Sequence, residues 1–294
     1  MTAAGSQAPL TVGLVGAGPW ATMAHAPMLA GAPETELAGV WARRSEAAEA
    51  LAHQYGVPAC AGLDELFARC EAVAFAVPPA VQAELAPAAA RAGKALLLDK
   101  PIAADVAGAE RLAAAVGEAG VASLVLLTWR FTQPVRDLLD AVAGTDLLGG
   151  HGAFLSDALR GGPFATPWRL ARGPILDLGP HVVDALDAAL GPVVDVAARG
   201  DRHGWVSLVL EHESGATSSA DLCATLAGPA QVGFEVHGPD VAHAVDCERP
   251  GREAFATVAA DLAAVAAGEA RGPDVQRGLH LQRVLARAEE QLRG

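Results

Sequence analysis

The sequence contains few lysines, tyrosines and cysteines, and aromatic residues of any kind are scarce. Lys94 and Lys100 are its two lysines, Tyr55 is its one tyrosine, and aromatic residues make up 4% of the 294 positions. The cysteines include no Cys-x-x-Cys pair, so in a chain of this length they predict neither a disulfide framework nor a metal site. We therefore expect a cytoplasmic protein without a bound metal and with four reduced thiols, at Cys60, Cys70, Cys223 and Cys247.

Long apolar segments and an excess of positive charge are also absent. No uninterrupted apolar run approaches the roughly 18–20 residues of a membrane-spanning helix. Residues 1–33 contain none of the lysines or arginines with which a signal peptide begins. With 21 basic and 34 acidic residues the net charge is −13, which disfavours nucleic acid and anionic membranes as partners. The 52% of hydrophobic residues excludes an unfolded chain.

The first part of the chain alternates short apolar runs with helical segments. This alternation predicts a parallel sheet that is buried on both faces, so we expect a doubly wound α/β domain over residues 1–128. The predicted strands are Leu10–Val15, Glu36–Trp41, Glu71–Val77, Ala95–Leu98 and Ala122–Thr128. The predicted helices are Trp20–Leu29, Ser45–Tyr55 with Ser45 as its N-cap, Val81–Ala92 and Asp105–Glu118.

The rhythm changes after Trp129, where strands follow one another with short glycine-containing turns. Such strands pair antiparallel, so residues 129–294 are predicted to form an α+β domain with a mainly antiparallel, open sheet. Its strands are expected near 151–159 and at 193–198, 205–211, 216–223, 232–237 and 241–246. Its helices are expected at Gln133–Val142, Ile175–Leu190, Glu253–Ala267 and Asp274–Leu292.

A glycine-rich loop follows the first predicted strand. Gly16 and Gly18, with Pro19 and Trp20 after them, open the first helix, and the missing Cβ atoms let a pyrophosphate approach the amides at the helix N-terminus. In a chain with 32 glycines this motif also fits an ordinary structural turn. Its position at the first strand-to-helix connection favours a dinucleotide site.

The second strand is followed by two arginines and a serine instead of a carboxylate. An NAD site usually has an acidic residue there for the ribose hydroxyls. Arg43, Arg44 and Ser45 instead suit a 2′-phosphate, so we expect NADP, with NAD as the alternative cofactor. The other interpretation is a solvated basic start of a helix.

Two further segments carry candidate catalytic groups. Lys100 follows a predicted strand at its carboxyl end, where parallel sheets bind ligands, although it also fits a surface lysine. Asp177 and His181 are spaced to share one face of a helix, where they can orient a hydroxyl and accept its proton. A capping aspartate with a half-buried histidine explains the same pair, and no third ligand supports a metal there.

Together these motifs resemble the Gfo/Idh/MocA family of nicotinamide-dependent oxidoreductases. The glycine loop comes first, and Ala92–Pro101 is similar to the family segment AGKHVLCEKP. Trp168-Arg169 then precedes Gly173–His181, which is similar to GGGxLxDxGxH, and the chain ends with a helix pair around Gly272-Pro273. The resemblance covers essentially the whole chain, and implies a Rossmann domain followed by a substrate domain. Asp99 departs from the usual glutamate.

The resemblance also implies roles for individual residues. Lys100 would be the catalytic lysine, His181 the acid/base and Asp177 a substrate-orienting carboxylate, with Trp168 and Arg169 as further substrate-binding residues. Hydride would pass between a carbinol carbon and the nicotinamide in a cleft beside the sheet, and the open sheet implies a homodimer or homotetramer. The residues implied to line the cofactor are Pro78, Pro79, Asp99, Lys100 and Arg130.

The leading hypothesis is an NADP(H)-dependent oxidoreductase that acts on an alcohol/carbonyl pair of a sugar, polyol or related small metabolite. Two alternatives stay open. One is a nicotinamide-binding protein without catalysis, such as a redox-responsive regulator. The other is an imine or C=C reductase, in which His181 matters less than a general proton donor.

Overall fold

The computed structural model describes residues 8–292, which form two compact units. The first unit comprises residues up to 99, 110–126 and 255–275, and the second comprises residues 100–109, 127–254 and those from 276 onward. The predicted boundary divides the chain once, between residues 128 and 129. In the structure each unit consists of three separate stretches of the chain. The ends of the predicted domains, residues 1–7 and 293–294, lie outside the described residues.

The first unit is built on a five-stranded parallel sheet, which confirms the predicted doubly wound fold. The strand order is β2-β1-β3-β4-β5, so the chain reverses its direction of winding between β1 and β3. Strands β3, β4 and β5 are almost completely buried because both faces of the sheet are covered. The strands are β1 (Leu10–Val15), β2 (Thr35–Trp41), β3 (Ala72–Phe75), β4 (Ala95–Asp99) and β5 (Ser123–Leu126).

Five helices follow the strands of this sheet. A π-helical turn, Ala21–His25, leads into the first of them, and the short helix after the second had not been predicted. The helices are α1 (Ala26–Gly31), α2 (Ser45–Tyr55), α3 (Leu63–Ala68), α4 (Pro79–Arg91) and α5 (Val106–Ala119), the last of which spans the boundary of the units.

The predicted N-cap of α2 is wrong by one residue. Ser45 is the first helical residue, and Arg44 occupies the N-cap position with extended backbone angles and no side-chain capping bond. The Ser45 hydroxyl is exposed. Since it does not cap the helix, it stays available to a ligand.

The second unit contains a six-stranded sheet of order β11-β10-β6-β9-β8-β7. All neighbours pair antiparallel except β6 and β9, which are parallel, so the predicted mainly antiparallel sheet is confirmed. The strands are β6 (Gly149–Leu155), β7 (Val193–Gly200), β8 (Trp205–His212), β9 (Thr217–Cys223), β10 (Gln231–His237) and β11 (Ala242–Asp246).

The helix predicted at Ile175–Leu190 is interrupted in the structure. It consists of α8 (Pro174–Asp177) and α9 (Gly179–Leu190), with Leu178 between them. Pro180 has no N–H to donate and its ring would clash with the Leu176 carbonyl of a continuous helix. The prediction that Asp177 and His181 share one face of a single helix is therefore wrong. They lie on the consecutive helices α8 and α9.

A 3₁₀ turn, Thr128–Phe131, lies between β5 and the helix that follows it. Helix α9 packs against β6 through buried side chains that include Val182 and Leu186. Within residues 8–292 no helix combines the length and the hydropathy that a membrane span requires. The other helices are α6 (Gln133–Val142), α7 (Pro167–Arg172), α10 (Arg252–Ala266) and α11 (Val275–Gln291), of which α7 had not been predicted.

Candidate active site

The glycine loop of the first unit connects β1 to the helical segment that starts at Pro19. Gly16 has a φ of 118°, in the region that favours glycine, and a Cβ there would strike the Ala76 carbonyl. Apart from Gly18 and its chain neighbours, no atom of residues 8–292 lies within 4 Å of the position where Gly18 would carry a Cβ. The loop therefore leaves open space above backbone amides at a helix start, which is the environment that a pyrophosphate needs.

The residues after the glycines continue this helix start. Trp20 packs edge-on against His25, with ring centroids 6.2 Å apart, and against Phe255 at the same distance. Burial lowers the pKa of His25 to about 4, so this imidazole is neutral at ordinary pH.

The other residues predicted to bind the cofactor follow neighbouring strands of the same sheet. Arg43 and Arg44 are exposed after β2, and Pro78 and Pro79 follow β3 at the start of α4. Asp99 is the last residue of β4. Since parallel strands end at one edge of the sheet, all of these residues lie at its carboxyl edge, where such folds bind nucleotides. The open loop and the exposed guanidiniums fit a dinucleotide.

Gln82 fixes the backbone at the end of β4. Its amide nitrogen donates to the Asp99 carbonyl at 2.9 Å, and its amide oxygen accepts from the Asp99 N–H at 2.7 Å. Strand β3 has already ended at this level, because Ala74 is the partner of Leu97 and no later pair follows. The buried side chain of Gln82 thus takes the place of a strand neighbour immediately before Lys100.

The second unit brings together four predicted site residues. Lys100 Nζ donates to the Asp177 carbonyl at 2.5 Å and lies 3.1 Å from Asp177 Oδ1. Arg169 Nε lies 3.3 Å from the same carboxylate oxygen. The Lys100–Pro101 peptide bond is cis. Asp177 is buried, so two cations from distant parts of the chain share one buried carboxylate.

His181 is buried in the first turn of α9. Its ring packs against Trp129 and Phe154, with centroid distances of 4.8 and 6.0 Å. No group in the described part of the chain forms a hydrogen bond with its Nδ1. Burial lowers the pKa of His181 well below its usual range, and the charges of Lys100 and Arg169 lower it further. The ring is therefore neutral at ordinary pH and able to accept a proton.

Arg169 lies against two aromatic rings of the segment around α7. Its guanidinium carbon is 5.3 Å from the centroid of Phe164 and 5.2 Å from that of Trp168. Such contacts restrict the orientation of the side chain. Trp168 and Arg169, both predicted to bind substrate, thus lie side by side, with Arg169 joined to Asp177.

Arg130, predicted to line the cofactor, is paired with Asp184 of α9 at 3.2 Å. The buried Asp184 also accepts from Arg277 Nε at 2.7 Å, and Arg277 forms a second ion pair with Asp187. His280 Nε2 lies 2.6 Å from Asp187 Oδ2. Sequence reasoning missed Asp187, Arg277 and His280, since pairs about 90 residues apart leave no local pattern.

The arrangement can transfer a proton to or from a substrate oxygen. It offers an ammonium group, an orienting carboxylate and a neutral imidazole. Among residues 8–292 no three histidine, cysteine or acidic side chains are grouped as ligands of a metal ion. The ammonium, carboxylate and imidazole groups of the site suggest acid–base chemistry.

Sequence models of two protein-family domains match the chain. Residues 10–126 match an oxidoreductase family with an NAD-binding Rossmann fold, and residues 132–241 match the GFO/IDH/MocA C-terminal domain. The chain belongs to the Gfo/Idh/MocA family. The resemblance inferred from the motifs is confirmed.

Two curated members of this family have related sequences. The dTDP-3,4-didehydro-2,6-dideoxy-alpha-D-glucose 3-reductase of Streptomyces violaceoruber is 30% identical over 202 residues, which cover 67% of this chain and 59% of that protein. The D-apiose dehydrogenase of Paraburkholderia graminis is 33% identical over 146 residues, which cover 45% and 38% of the two chains. The matched region thus spans less than two thirds of each relative.

Solved Gfo/Idh/MocA structures share the fold over almost the full chain. GenD2 from gentamicin A biosynthesis, in complex with NAD, has a TM-score of 0.85 at 21% identity and covers 98% of this chain and 95% of its own. The UDP-N-acetylglucosamine 3-dehydrogenase GnnA from Acidithiobacillus ferrooxidans has a TM-score of 0.83 at 20% identity, with 97% and 98% covered. At these identities the likeness shows the fold alone.

Proposed function

We propose that this protein is an NADP(H)-dependent oxidoreductase that transfers hydride between a nicotinamide and an alcohol or carbonyl carbon of a sugar, polyol or related small metabolite. One observation carries the proposal. Lys100 lies 3.1 Å from Asp177 in the same unit as a buried His181 whose pKa is lowered. We also propose the cytoplasm as its location, because the cysteines suggest a reducing compartment.

The proposed roles follow from the chemistry of the three groups. In alcohol oxidation the neutral imidazole of His181 accepts the hydroxyl proton, while the ammonium group of Lys100 donates a hydrogen bond to the same oxygen. Asp177 holds Lys100 and orients it. The nicotinamide, when bound, supplies the acceptor or donor of hydride. In the reverse direction His181 returns the proton to the carbonyl oxygen.

The proposed preference for NADP rests on the carboxyl end of β2. Arg43 and Arg44 are exposed there, and the segment from Ala42 to Ser45 contains no carboxylate that would bind the ribose hydroxyls of NAD. A guanidinium binds a phosphate through two parallel hydrogen bonds. The 2′-phosphate of NADP offers such a group and NAD does not.

We further propose a homodimer or homotetramer that forms through the six-stranded sheet. Helices α6 and α9 contact this sheet. Along β8 the side chains alternate between buried and exposed, and the exposed set includes Trp205 and Val209, whose side chains are 43% and 49% exposed. Large apolar side chains on one sheet face support an interface between copies of the chain.

The activity can be tested with purified protein, NADP⁺ or NADPH, and a panel of sugars, polyols and their carbonyl forms. The absorbance of the reduced nicotinamide reports turnover. The panel includes one imine, and turnover of the imine but of no alcohol or carbonyl compound would favour the imine reductase. We expect Lys100→Met and His181→Asn each to lower kcat about 100-fold or more, because acid–base groups typically contribute that much.

Matched controls are available for both substitutions. Lys94→Met removes the other lysine, which donates to the Cys70 carbonyl at 2.9 Å, and His53→Asn changes an exposed histidine. Both variants should turn over substrate at the parent rate. If Lys100→Met or His181→Asn were equally active, the assigned roles would be wrong. Tight NADPH binding without turnover of any panel member would favour the non-catalytic alternative.

A further inference from the structure

Arg169 of helix α7 is mostly buried and its terminal nitrogens have no hydrogen-bond partner within residues 8–292, and we infer that the substrate carries an anionic group that Arg169 binds. The inference rests on the proposed function, because it concerns the substrate of the same site. It adds a requirement for a phosphate or carboxylate to the sugar-like class proposed above.

The first part of the argument is the charge around Asp177. Lys100 and Arg169 both lie within 3.3 Å of its Oδ1, so two positive charges face one negative charge. The nearby His181 adds no further charge, since its lowered pKa keeps it neutral. The single carboxylate of Asp177 is therefore shared between two cations in a largely buried environment, where charges interact more strongly than in water.

The second part is a similar sharing of one carboxylate by two cations at the C-terminal end of α7. Arg172 and Arg202 share the buried carboxylate of Glu289, at 3.3 and 2.7 Å. Arg172 also donates to the Ala104 carbonyl at 2.9 Å. These contacts hold the end of the helix that carries Arg169. In a protein with a net charge of −13, cationic side chains that are grouped in one place favour the approach of an anionic substrate.

The third part is the state of the Arg169 side chain itself. Nε faces Asp177, and neither terminal nitrogen hydrogen-bonds to another group within residues 8–292. The rings of Phe164 and Trp168 restrict the plane of the guanidinium. An oriented guanidinium with free donors is suited to a planar carboxylate or to a phosphate.

Binding of matched neutral and anionic probes to the complete chain tests this inference. Calorimetric titrations are run with saturating NADPH, so that the glycine loop is occupied, and compare glucose with glucose 6-phosphate, glucose with gluconate, and thymidine with dTDP. We expect at least one anionic probe to bind tenfold or more tightly than its neutral counterpart. The phosphate and carboxylate arms identify the source of the charge.

The same titrations with Arg169→Gln should remove the advantage of the anionic probe over its neutral counterpart. Arg111→Gln, an exposed change in the first unit, should behave like the parent. If Arg169→Gln does not fold, as melting would reveal, added NaCl should still weaken the anionic probe selectively in the parent protein. The inference is overturned if no anionic probe shows an advantage, or if the advantage survives Arg169→Gln or high salt.

NADPH binding and turnover of neutral polyols are measured in parallel. If both occur while no anionic probe is preferred, this inference fails and the proposed function stands. If NADPH does not bind, the proposed function fails by itself.

Discussion

The proton affinity of His181 depends on two charged neighbours. Burial has the largest effect on its lowered pKa, and the charges of Lys100 and Arg169 add to it. A nearby positive charge opposes protonation of the ring, so its removal raises the pKa. A base with a lowered pKa stays neutral, and therefore active, well into the acid range.

We predict that Arg169→Gln moves the acid limb of the pH profile for alcohol oxidation to higher pH. In the parent protein the limb should lie below the ordinary imidazole value of about 6.5. The measurement is kcat/KM as a function of pH. The apparent pKa of the acid limb tests the prediction, and the maximum value of kcat/KM does not. Arg111→Gln is the control, and a limb that stays in place or moves to lower pH would contradict the prediction.

The cofactor preference is also decided by single residues. We predict that Arg43→Ala weakens NADPH binding at least tenfold and leaves NADH binding almost unchanged, because a hydrogen bond to a charged group contributes about 1.5–3 kcal/mol. Fluorescence titration of both nucleotides measures this. Equal losses for NADPH and NADH would remove the argument for a 2′-phosphate site at Arg43.

The candidate site was partly predictable from the sequence. Lys100, Asp177, Arg169 and His181 were all singled out by their motifs, and the structure places them together. Their ion pairs were not predictable, because hydrophobic periodicity carries no information on which charges meet. Glu289, which joins Arg172 and Arg202 across 117 and 87 residues, left no signal of its own.

At the scale of elements, the buried carboxylate of Asp187 connects α9 to its surroundings. It accepts from the N–H of Val193, the first residue of β7, at 2.8 Å, and it pairs with His280 and Arg277 of α11. Burial alone would raise the pKa of Asp187, but the hydrogen bond from His280 and the charge of Arg277 outweigh it and lower the pKa. Ionisation of Asp187 therefore stabilises the folded protein.

We predict that Asp187→Asn lowers the free energy of unfolding by about 3 kcal/mol, since breaking a buried pair leaves uncompensated charge. Because the folded pKa is below the unfolded one, this contribution is complete above the ordinary aspartate value and is lost as the pH falls through the folded value. Urea denaturation between pH 7 and 3 measures it. The difference between variant and parent should shrink in acid.

Asp195→Asn is the matched control for this experiment. Asp195 pairs with Arg287 at 3.6 Å, but its side chain is 67% exposed, so its loss should cost less than about 1 kcal/mol. Equal effects of the two substitutions would contradict the structural role given to Asp187.

Most strands and long helices were predictable because their apolar periodicity is long and regular. The break at Leu178 was not, since Leu178 is itself buried and apolar and so continues the helical pattern. Helices α3 and α7 were missed because six residues are too few to establish a period. Local pattern thus located the elements better than it located their ends.

At the scale of the whole molecule, the proposed oligomer has a direct test. The chain has a mass of 29.8 kDa, and light scattering after size exclusion should give twice or four times that value. We predict that Val209→Asp, which places a charge on the exposed sheet face, lowers the mass to that of one chain. Leu148→Asp, at an exposed apolar side chain outside the strands, should leave the oligomer intact. A parent protein that elutes as a monomer would contradict the proposal.

The amide of Gln82 has a consequence for how the protein responds to its solvent. A carboxamide neither gains nor loses a proton at any pH at which the protein is folded, and it carries no charge that salt could screen. The chain segment that leads into Lys100 is therefore held by two hydrogen bonds that do not depend on the protonation of Gln82 or on ionic strength. A change of pH should alter the protonation of the reacting groups, while the backbone of Asp99 keeps its hydrogen bonds to Gln82.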